Sequence, residues 1–145
     1  MDLGQFQRRL TGRLLAWAAA SIGLGLLWRR RGAFGRGLGE QFVGWGVINA
    51  VIALLGQRGA ARQWAADPTA ETEGQRHILA RLLWVNTGLD VLYVLGGRRV
   101  AWGRGAEDDL WRGRGVGIML QGGFLFVFDL LNALALRRLR LRPRA

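Results

Sequence analysis

Long apolar segments separated by short polar ones dominate the pattern of this chain. Four of them stand out, at residues 10–28, 37–56, 79–97 and 115–136, each with 19 to 22 residues. As an α-helix, a segment of that length rises about 1.5 Å per residue and covers a hydrocarbon core of roughly 30 Å. None of them shows the continuous polar stripe of a helix in a soluble bundle. The pattern therefore predicts an all-α polytopic membrane protein with four transmembrane helices, a single membrane domain over residues 1–145.

Polar residues interrupt the apolar segments of the last three spans. On a helical wheel with about 100° per residue they share one sector of each span, and apolar residues such as Val51, Leu95 and Leu131 lie opposite. An isolated aspartate at the bilayer centre costs about 2.5–3.5 kcal/mol, so we expect the polar sectors to face one another. The predicted intramembrane polar site consists of Gln41 and Asn49 on the second span, Asn86, Asp90 and Tyr93 on the third, and Gln121, Asp129 and Asn132 on the fourth.

The relative depth of these residues follows from the chain direction. Consecutive spans run antiparallel, so Asp129 is expected at the level of Asn86 and within about one helical turn of Asp90. Outside the membrane, Asp67 and Pro68 have the residue types of an N-cap and a first helical position. They predict that the third helix begins before its apolar segment.

The chain also resembles itself at a fixed offset. The letters RLL at residues 13–15 recur at residues 81–83, an offset of 68 residues. In the helix after each copy the offset is 80 residues, and there Asn49 aligns with Asp129. The sequence thus predicts an internal repeat of two helical hairpins, parallel repeats related by an axis along the membrane normal.

Arginine supplies all of the positive side-chain charge, with 21 arginines, no lysine, 10 acidic residues and a net charge of +11. A charge of that size on a small chain first suggests a nucleic-acid binder. The arginines, however, stand in short runs directly beside the apolar segments, as at residues 29–31, 98–99 and 137–138. There they would meet the headgroups of anionic lipids. We therefore predict that the partner is a lipid bilayer with anionic headgroups, and that no nucleic acid is bound.

The distribution of arginines indicates an orientation. With the N-terminus in the cytoplasm, twelve arginines lie on that side and nine on the other, and residues 137–144 form the strongest local cluster. Positive residues favour the cytoplasmic side, and an even number of spans puts both termini there. The sequence predicts a multi-pass protein of the bacterial cytoplasmic (inner) membrane with both termini in the cytoplasm.

No catalytic or cofactor motif accompanies the polar residues. Cysteine is absent and His77 is the only histidine, which excludes disulfides, thiol catalysis and haem ligation by paired histidines. The two intramembrane aspartates stand in the contexts Gly-Leu-Asp-Val and Val-Phe-Asp-Leu, unlike those of intramembrane aspartyl proteases. The sequence predicts that the protein is not an enzyme and has no cofactor and no metal site.

Three hypotheses account for the polar site. In the first, acids and amides join the helices by hydrogen bonds of about 0.6–2 kcal/mol each, and the protein is structural or accessory. In the second, Asp90 and Asp129 carry a proton or a cation, and the protein is a small proton- or cation-coupled transporter. In the third, small residues, namely Gly113 with Gly117 and Ala19 with Gly23, contact another membrane helix, which gives a homo-oligomer or a larger membrane complex.

Three stretches of the chain are distinctive in combination: WGVIN at residues 45–49, NTGLDVLYVLGG at residues 86–97 and QGGFLFVFDLLNA at residues 121–133. Together they resemble a group of small four-helix bacterial integral membrane proteins of unknown function. The resemblance covers most of the chain and implies a fold of four membrane helices. It implies no activity.

Overall fold

The computed structural model of the protein describes residues 2–66 and 73–139. The described residues form four long α-helices and one turn of 3-10 helix: α1 (Leu3–Trp28), α2 (Gly32–Ala66), α3 (Glu73–Trp102), the 3-10 turn (Arg104–Ala106) and α4 (Asp109–Arg137). All four α-helices are long and apolar enough to cross a membrane, and the described ranges contain no strand. The predicted all-α fold with four transmembrane helices is confirmed.

The helices extend beyond the apolar segments that predicted them. α1 begins at Leu3, because the Asp2 carboxylate accepts a hydrogen bond from the backbone N–H of Gln5 at 2.6 Å and caps the helix. α4 begins at Asp109, several residues before its apolar segment, with Asp108 as N-cap. Arg, Gln and Ala form helices as readily as most apolar residues. Hydropathy therefore locates the apolar segment of a span but not the ends of its helix. The predicted start of α3 at Asp67 and Pro68 lies outside the described residues, as does the chain after residue 139.

A turn of three arginines, residues 29–31, connects α1 to α2. The Arg29 N–H donates to the Gly25 carbonyl at 3.0 Å, and the Arg31 N–H donates to the Trp28 carbonyl at 2.9 Å. The next residue, Gly32, has a φ of 67°, a left-handed conformation that residues with a Cβ rarely adopt. This glycine lets the chain reverse within a few residues and makes α1 and α2 an antiparallel hairpin.

Glycines set the close approach of the helices within each hairpin. Gly25 of α1 and Gly39 of α2 are so close that a Cβ on either would collide with the carbonyl oxygen of the other. Gly97 of α3 and Gly115 of α4 have the same relation. Small residues that let backbones approach closely are the usual basis of helix packing in membranes. Both hairpins are therefore tightly packed pairs.

The two hairpins meet where α2 crosses α4. A Cβ on Gly113 would collide with the backbone of α2, and a Cβ on Gly117 would collide with the side chain of Gln41. Close to this crossing Glu40 Oε2 accepts a hydrogen bond from Arg114 Nε at 2.9 Å, and Arg114 Nη2 forms an ion pair with the same oxygen at 2.8 Å. Gly113 and Gly117 thus pack within the chain, whereas Ala19 and Gly23, the other small residues of the third hypothesis, are exposed.

The opposite end of the bundle is closed by apolar side chains. The cluster consists of Leu3 and Phe6 from α1, Leu83 from α3, and Ala133, Leu136 and Leu139 from α4 and the residues after it. The residues expected to face lipid are exposed on the bundle surface, among them Val51, Leu95 and Leu131. Each of these helices therefore has the predicted lipid-facing side.

Candidate functional site

A cavity of about 160 Å³ lies inside the bundle, half-way along the helices. Its polar lining consists of Asn49 from α2, Asn86, Asp90 and Tyr93 from α3, and Asp129 from α4. Five of the eight residues predicted for the polar site thus share one cavity. The fold brings them together because the hairpin of α3 and α4 is packed tightly at its glycines and α2 crosses α4.

Asp90 and Asn49 are the deepest polar residues of the cavity, each with 3% of its surface exposed. Asp90 Oδ2 and Asn49 Nδ2 are fully buried and have no hydrogen-bond partner among the described residues. Buried polar atoms are nearly always hydrogen-bonded, and leaving one unbonded costs about 1–3 kcal/mol. Two residues of the cavity lining thus each carry a buried polar atom without a partner among the described residues.

Asp129 also lines the cavity, and it is buried. Asn86 and Asp90 of α3 line the same cavity. The three residues expected at similar depth on the antiparallel α3 and α4 are thus found together. Two carboxyl groups and the amide of Asn86 belong to the lining of one cavity.

Gln121 lies apart from the cavity, in a fully bonded environment. Its Oε1 accepts a hydrogen bond from Trp17 Nε1 at 3.0 Å, and its Nε2 donates to Ser21 Oγ at 3.1 Å. The Trp17 ring also stacks on Phe124, with ring centroids 3.6 Å apart. Trp17 and Ser21 both belong to α1, so Gln121 joins α4 to α1.

Sequence reasoning did not single out Trp17 or Ser21. Neither residue is strongly polar, so neither disturbs the hydropathy of α1. One signal was available, because an indole N–H in an apolar environment usually finds an acceptor. The Ser21 hydroxyl lies one helical turn from Trp17 on the same face of α1. Together the two residues indicate a hydrogen-bonding contact on that face.

Two other predicted site residues also lie outside the cavity lining. Asn132 donates from Nδ2 to the carbonyl of Phe128 in its own helix at 2.7 Å. The Gln41 side chain packs against Gly117 at the crossing of α2 and α4. Neither residue lines the cavity.

A helical wheel groups these residues because it shows the direction of each side chain around the helix axis and not its position along that axis. Gln121 stands eight residues from Asp129, and Gln41 stands eight residues from Asn49. At about 1.5 Å per residue that separation is roughly 12 Å along the helix axis. Residues in one sector can therefore have entirely different neighbours.

The cavity opens sideways between α2 and α3. The helix pairs that pack closely are α1 with α2, α3 with α4 and α2 with α4, whereas α2 and α3 meet through the edge-to-face contact of Trp45 and Tyr93, with ring centroids 4.8 Å apart. Lining residues around this opening are exposed, including Ile48, Ile52 and Leu89. In a membrane the opening faces the acyl chains of the lipids.

Comparison with known proteins gives one match. Residues 13–130 match the model of DUF6992, a family of unknown function, and this stretch contains every residue that lines the cavity, from Leu14 to Asp129. No curated protein and no solved structure matches the chain. Because the family model covers most of the sequence, the chain belongs to the DUF6992 family of unknown function.

Proposed function

We propose that this protein is an accessory integral membrane protein whose helix bundle binds a small hydrogen-bonding group in the cavity formed by Asn49, Asp90 and Asp129. The observation that carries the proposal is the pair of unpartnered atoms, Asp90 Oδ2 and Asn49 Nδ2, buried in one cavity. A bundle that used these residues only to hold its helices together would pair them with each other or with neighbours.

The remaining polar residues support a structural role for the rest of the core. Gln121 is bonded to two residues of α1, so it joins two helices in the way that the first hypothesis expects. The buried Thr87 is also bonded, within its own helix, to the Leu83 carbonyl at 2.8 Å. The proposal therefore assigns the binding role to the cavity residues and the structural role to the bonded ones.

The proposed setting is the bacterial inner membrane, with both termini in the cytoplasm. Arginines stand at the helix ends, and some lie over tryptophan rings, as Arg31 does over Trp28 at 5.5 Å and Arg137 over Trp84 at 5.2 Å. Tryptophan and arginine are typical of the level of the lipid headgroups, so anionic lipids are the proposed partners of these arginines. Two further properties stay predictions. One is assembly into a homo-oligomer or a larger complex, and the other is descent from a duplicated hairpin.

Proton- or cation-coupled transport through Asp90 and Asp129 also stays a prediction. A transport site has to be reached from both sides of the membrane. The opening of this cavity lies between α2 and α3 at mid-helix, at the level of the acyl chains. The cavity therefore favours a binding role over transport.

Substitution by leucine tests the binding role. Asn49→Leu and Asp90→Leu keep the approximate size of the side chain and remove an unpartnered polar atom, so we expect the free energy of unfolding in detergent to stay the same or increase. Gln121→Leu is the control, because it breaks two bonds to α1 and is expected to lower that free energy by about 1–3 kcal/mol.

Thermal unfolding followed by circular dichroism measures all three variants against the unsubstituted chain. If Asn49→Leu and Asp90→Leu destabilise the bundle as much as Gln121→Leu does, these residues hold the helices together and the binding role is lost.

A further inference from the structure

We infer that the cavity binds the oxygen-bearing six-membered ring of a lipid-soluble molecule, a phenol or a quinone, which enters from the bilayer between α2 and α3. The inference rests on the proposed function and names the class of its ligand. It concerns binding alone and requires no reaction.

The size of the cavity limits the size of the ligand. A volume of about 160 Å³ is close to that of an engineered apolar cavity of roughly 150 Å³ that holds benzene. A single ring therefore fits, whereas a phospholipid headgroup with its glycerol does not. A neutral ring is also favoured because charge at the bilayer centre is costly.

The two unpartnered atoms, Asn49 Nδ2 and Asp90 Oδ2, favour a ligand whose ring carries an oxygen atom. Asn49 Nδ2 is a donor and needs an acceptor, and a hydroxyl or carbonyl oxygen on the ring provides one. Asp90 Oδ2 accepts a hydrogen bond from a ring hydroxyl when the carboxyl group is ionised, and donates one to a ring carbonyl when the carboxyl group is protonated. A phenol and a quinone therefore satisfy the same two residues.

The opening of the cavity suits an aromatic ligand with an apolar tail. Trp45 and Tyr93 meet edge to face there, and aromatic rings attract one another in such arrangements. Ile48, Ile52 and Leu89 lie around the same opening and are exposed. A tail attached to the ring would leave the cavity across these residues and lie among the acyl chains.

Binding of defined probes to the full chain in lipid nanodiscs tests the inference. The first probe is a benzoquinone with one isoprene unit, which quenches tryptophan fluorescence, and the second is farnesol, an apolar alcohol without a ring. We expect saturable binding of the benzoquinone, which farnesol displaces weakly or not at all.

A matched pair of variants assigns that binding to the cavity. Asn49→Leu removes the buried donor and should weaken binding of the benzoquinone roughly tenfold, the effect of one lost buried hydrogen bond. Asn132→Leu is the same substitution at an amide that bonds its own helix outside the cavity lining, and should leave the affinity unchanged. Leu89→Trp changes an exposed residue at the opening, spares the core, and should abolish binding by closing the entrance.

The outcomes separate the inference from the function on which it rests. If farnesol binds as tightly as the benzoquinone and with the same dependence on Asn49, the cavity recognises oxygen without a ring; the inference is overturned and the proposed function stands. If no probe binds and Asn49→Leu is as stable as the unsubstituted chain, the inference alone fails.

If Asn49→Leu is strongly destabilised, the proposed function fails as well. If the chain is a dimer that Asn49→Leu dissociates, the occupant is a second copy and the inference is overturned.

Discussion

Asn49 and Gln121 are both buried amides, yet the bundle uses them differently. Gln121 is completely buried and joins α4 to α1 through Trp17 and Ser21. Asn49 is nearly as buried but its Nδ2 atom faces a cavity without a partner among the described residues. The amide group is the same in both residues. The difference in hydrogen bonding therefore comes from whether a neighbouring helix has a donor or an acceptor at the same depth.

Charged residues show the same dependence on neighbours. Arg114 lies 4.8 Å over the Trp111 ring while it bonds Glu40 of another helix with two nitrogens. Arg112 forms an ion pair with Asp109 one turn away in its own helix. An exposed pair within a helix adds little to stability, whereas a hydrogen-bonded ion pair between helices also helps to fix their crossing.

Replacement of these arginines should give unequal effects. Arg114→Gln leaves the Glu40 carboxylate without its charged partner at the crossing of α2 and α4, and should lower the free energy of unfolding by about 1.5–3 kcal/mol. Arg112→Gln, the control on the same helix, should change it by about 0–1 kcal/mol. Unfolding in detergent measures both. Equal effects of the two variants would show that the bond between Arg114 and Glu40 does not stabilise the crossing.

At the level of the helices, glycine positions decide which pairs pack closely. α4 meets α2 at Gly113 and α3 at Gly115, two residues apart and on different sides of the helix. Gly123, on the same helix, has open space where a Cβ would lie. The sequence contains 23 glycines, and composition does not distinguish those at a crossing from those facing lipid.

Alanine substitution distinguishes the two kinds of glycine. Gly113→Ala places a methyl group against the backbone of Phe34 and Leu38 and should destabilise the bundle by about 1–3 kcal/mol through overpacking. Gly123→Ala has room and should be neutral or stabilising, since alanine favours a helix over glycine by about 1 kcal/mol. Thermal unfolding of the two variants checks this expectation. A stable Gly113→Ala variant would contradict the close crossing of α2 and α4.

At the level of the whole molecule, the cavity results from the order in which the helices pack. Two hairpins, each closed by its own glycines, meet along α2 and α4. This arrangement leaves α2 and α3 bridged by the ring contact of Trp45 and Tyr93. The opening between them is thus a consequence of the order in which the helices pack.

The orientation of the molecule can be tested directly, because the chain has no cysteine of its own. Single cysteines replace His77, which is exposed near the start of α3, or Glu107, which is exposed in the connection before α4. With both termini in the cytoplasm, a membrane-impermeant maleimide added to intact cells should label Glu107→Cys. It should label His77→Cys only after the membrane is opened. The reverse pattern would show the opposite orientation.

Several features could be predicted from the sequence because they depend on local order along one helix. Hydropathy located the four spans, and the 3.6-residue period identified the lipid-facing sides. The antiparallel order of consecutive spans put Asp129 near Asn86 and Asp90, and the three residues line one cavity. Helix ends were located less well, because residues such as Gln5 and Arg112 continue a helix without raising its hydropathy.

What the sequence by itself determined is therefore an all-α membrane fold with Asp90 and Asp129 at one depth in its interior. The tertiary structure decided which polar residues meet. It gave Gln121 two partners on α1 and left Asp90 and Asn49 facing a cavity. The physical reason is that a hydrogen bond depends on the position of two atoms to within a fraction of an ångström. That position depends on where glycines let the helices cross, which the periodicity of a single helix does not contain.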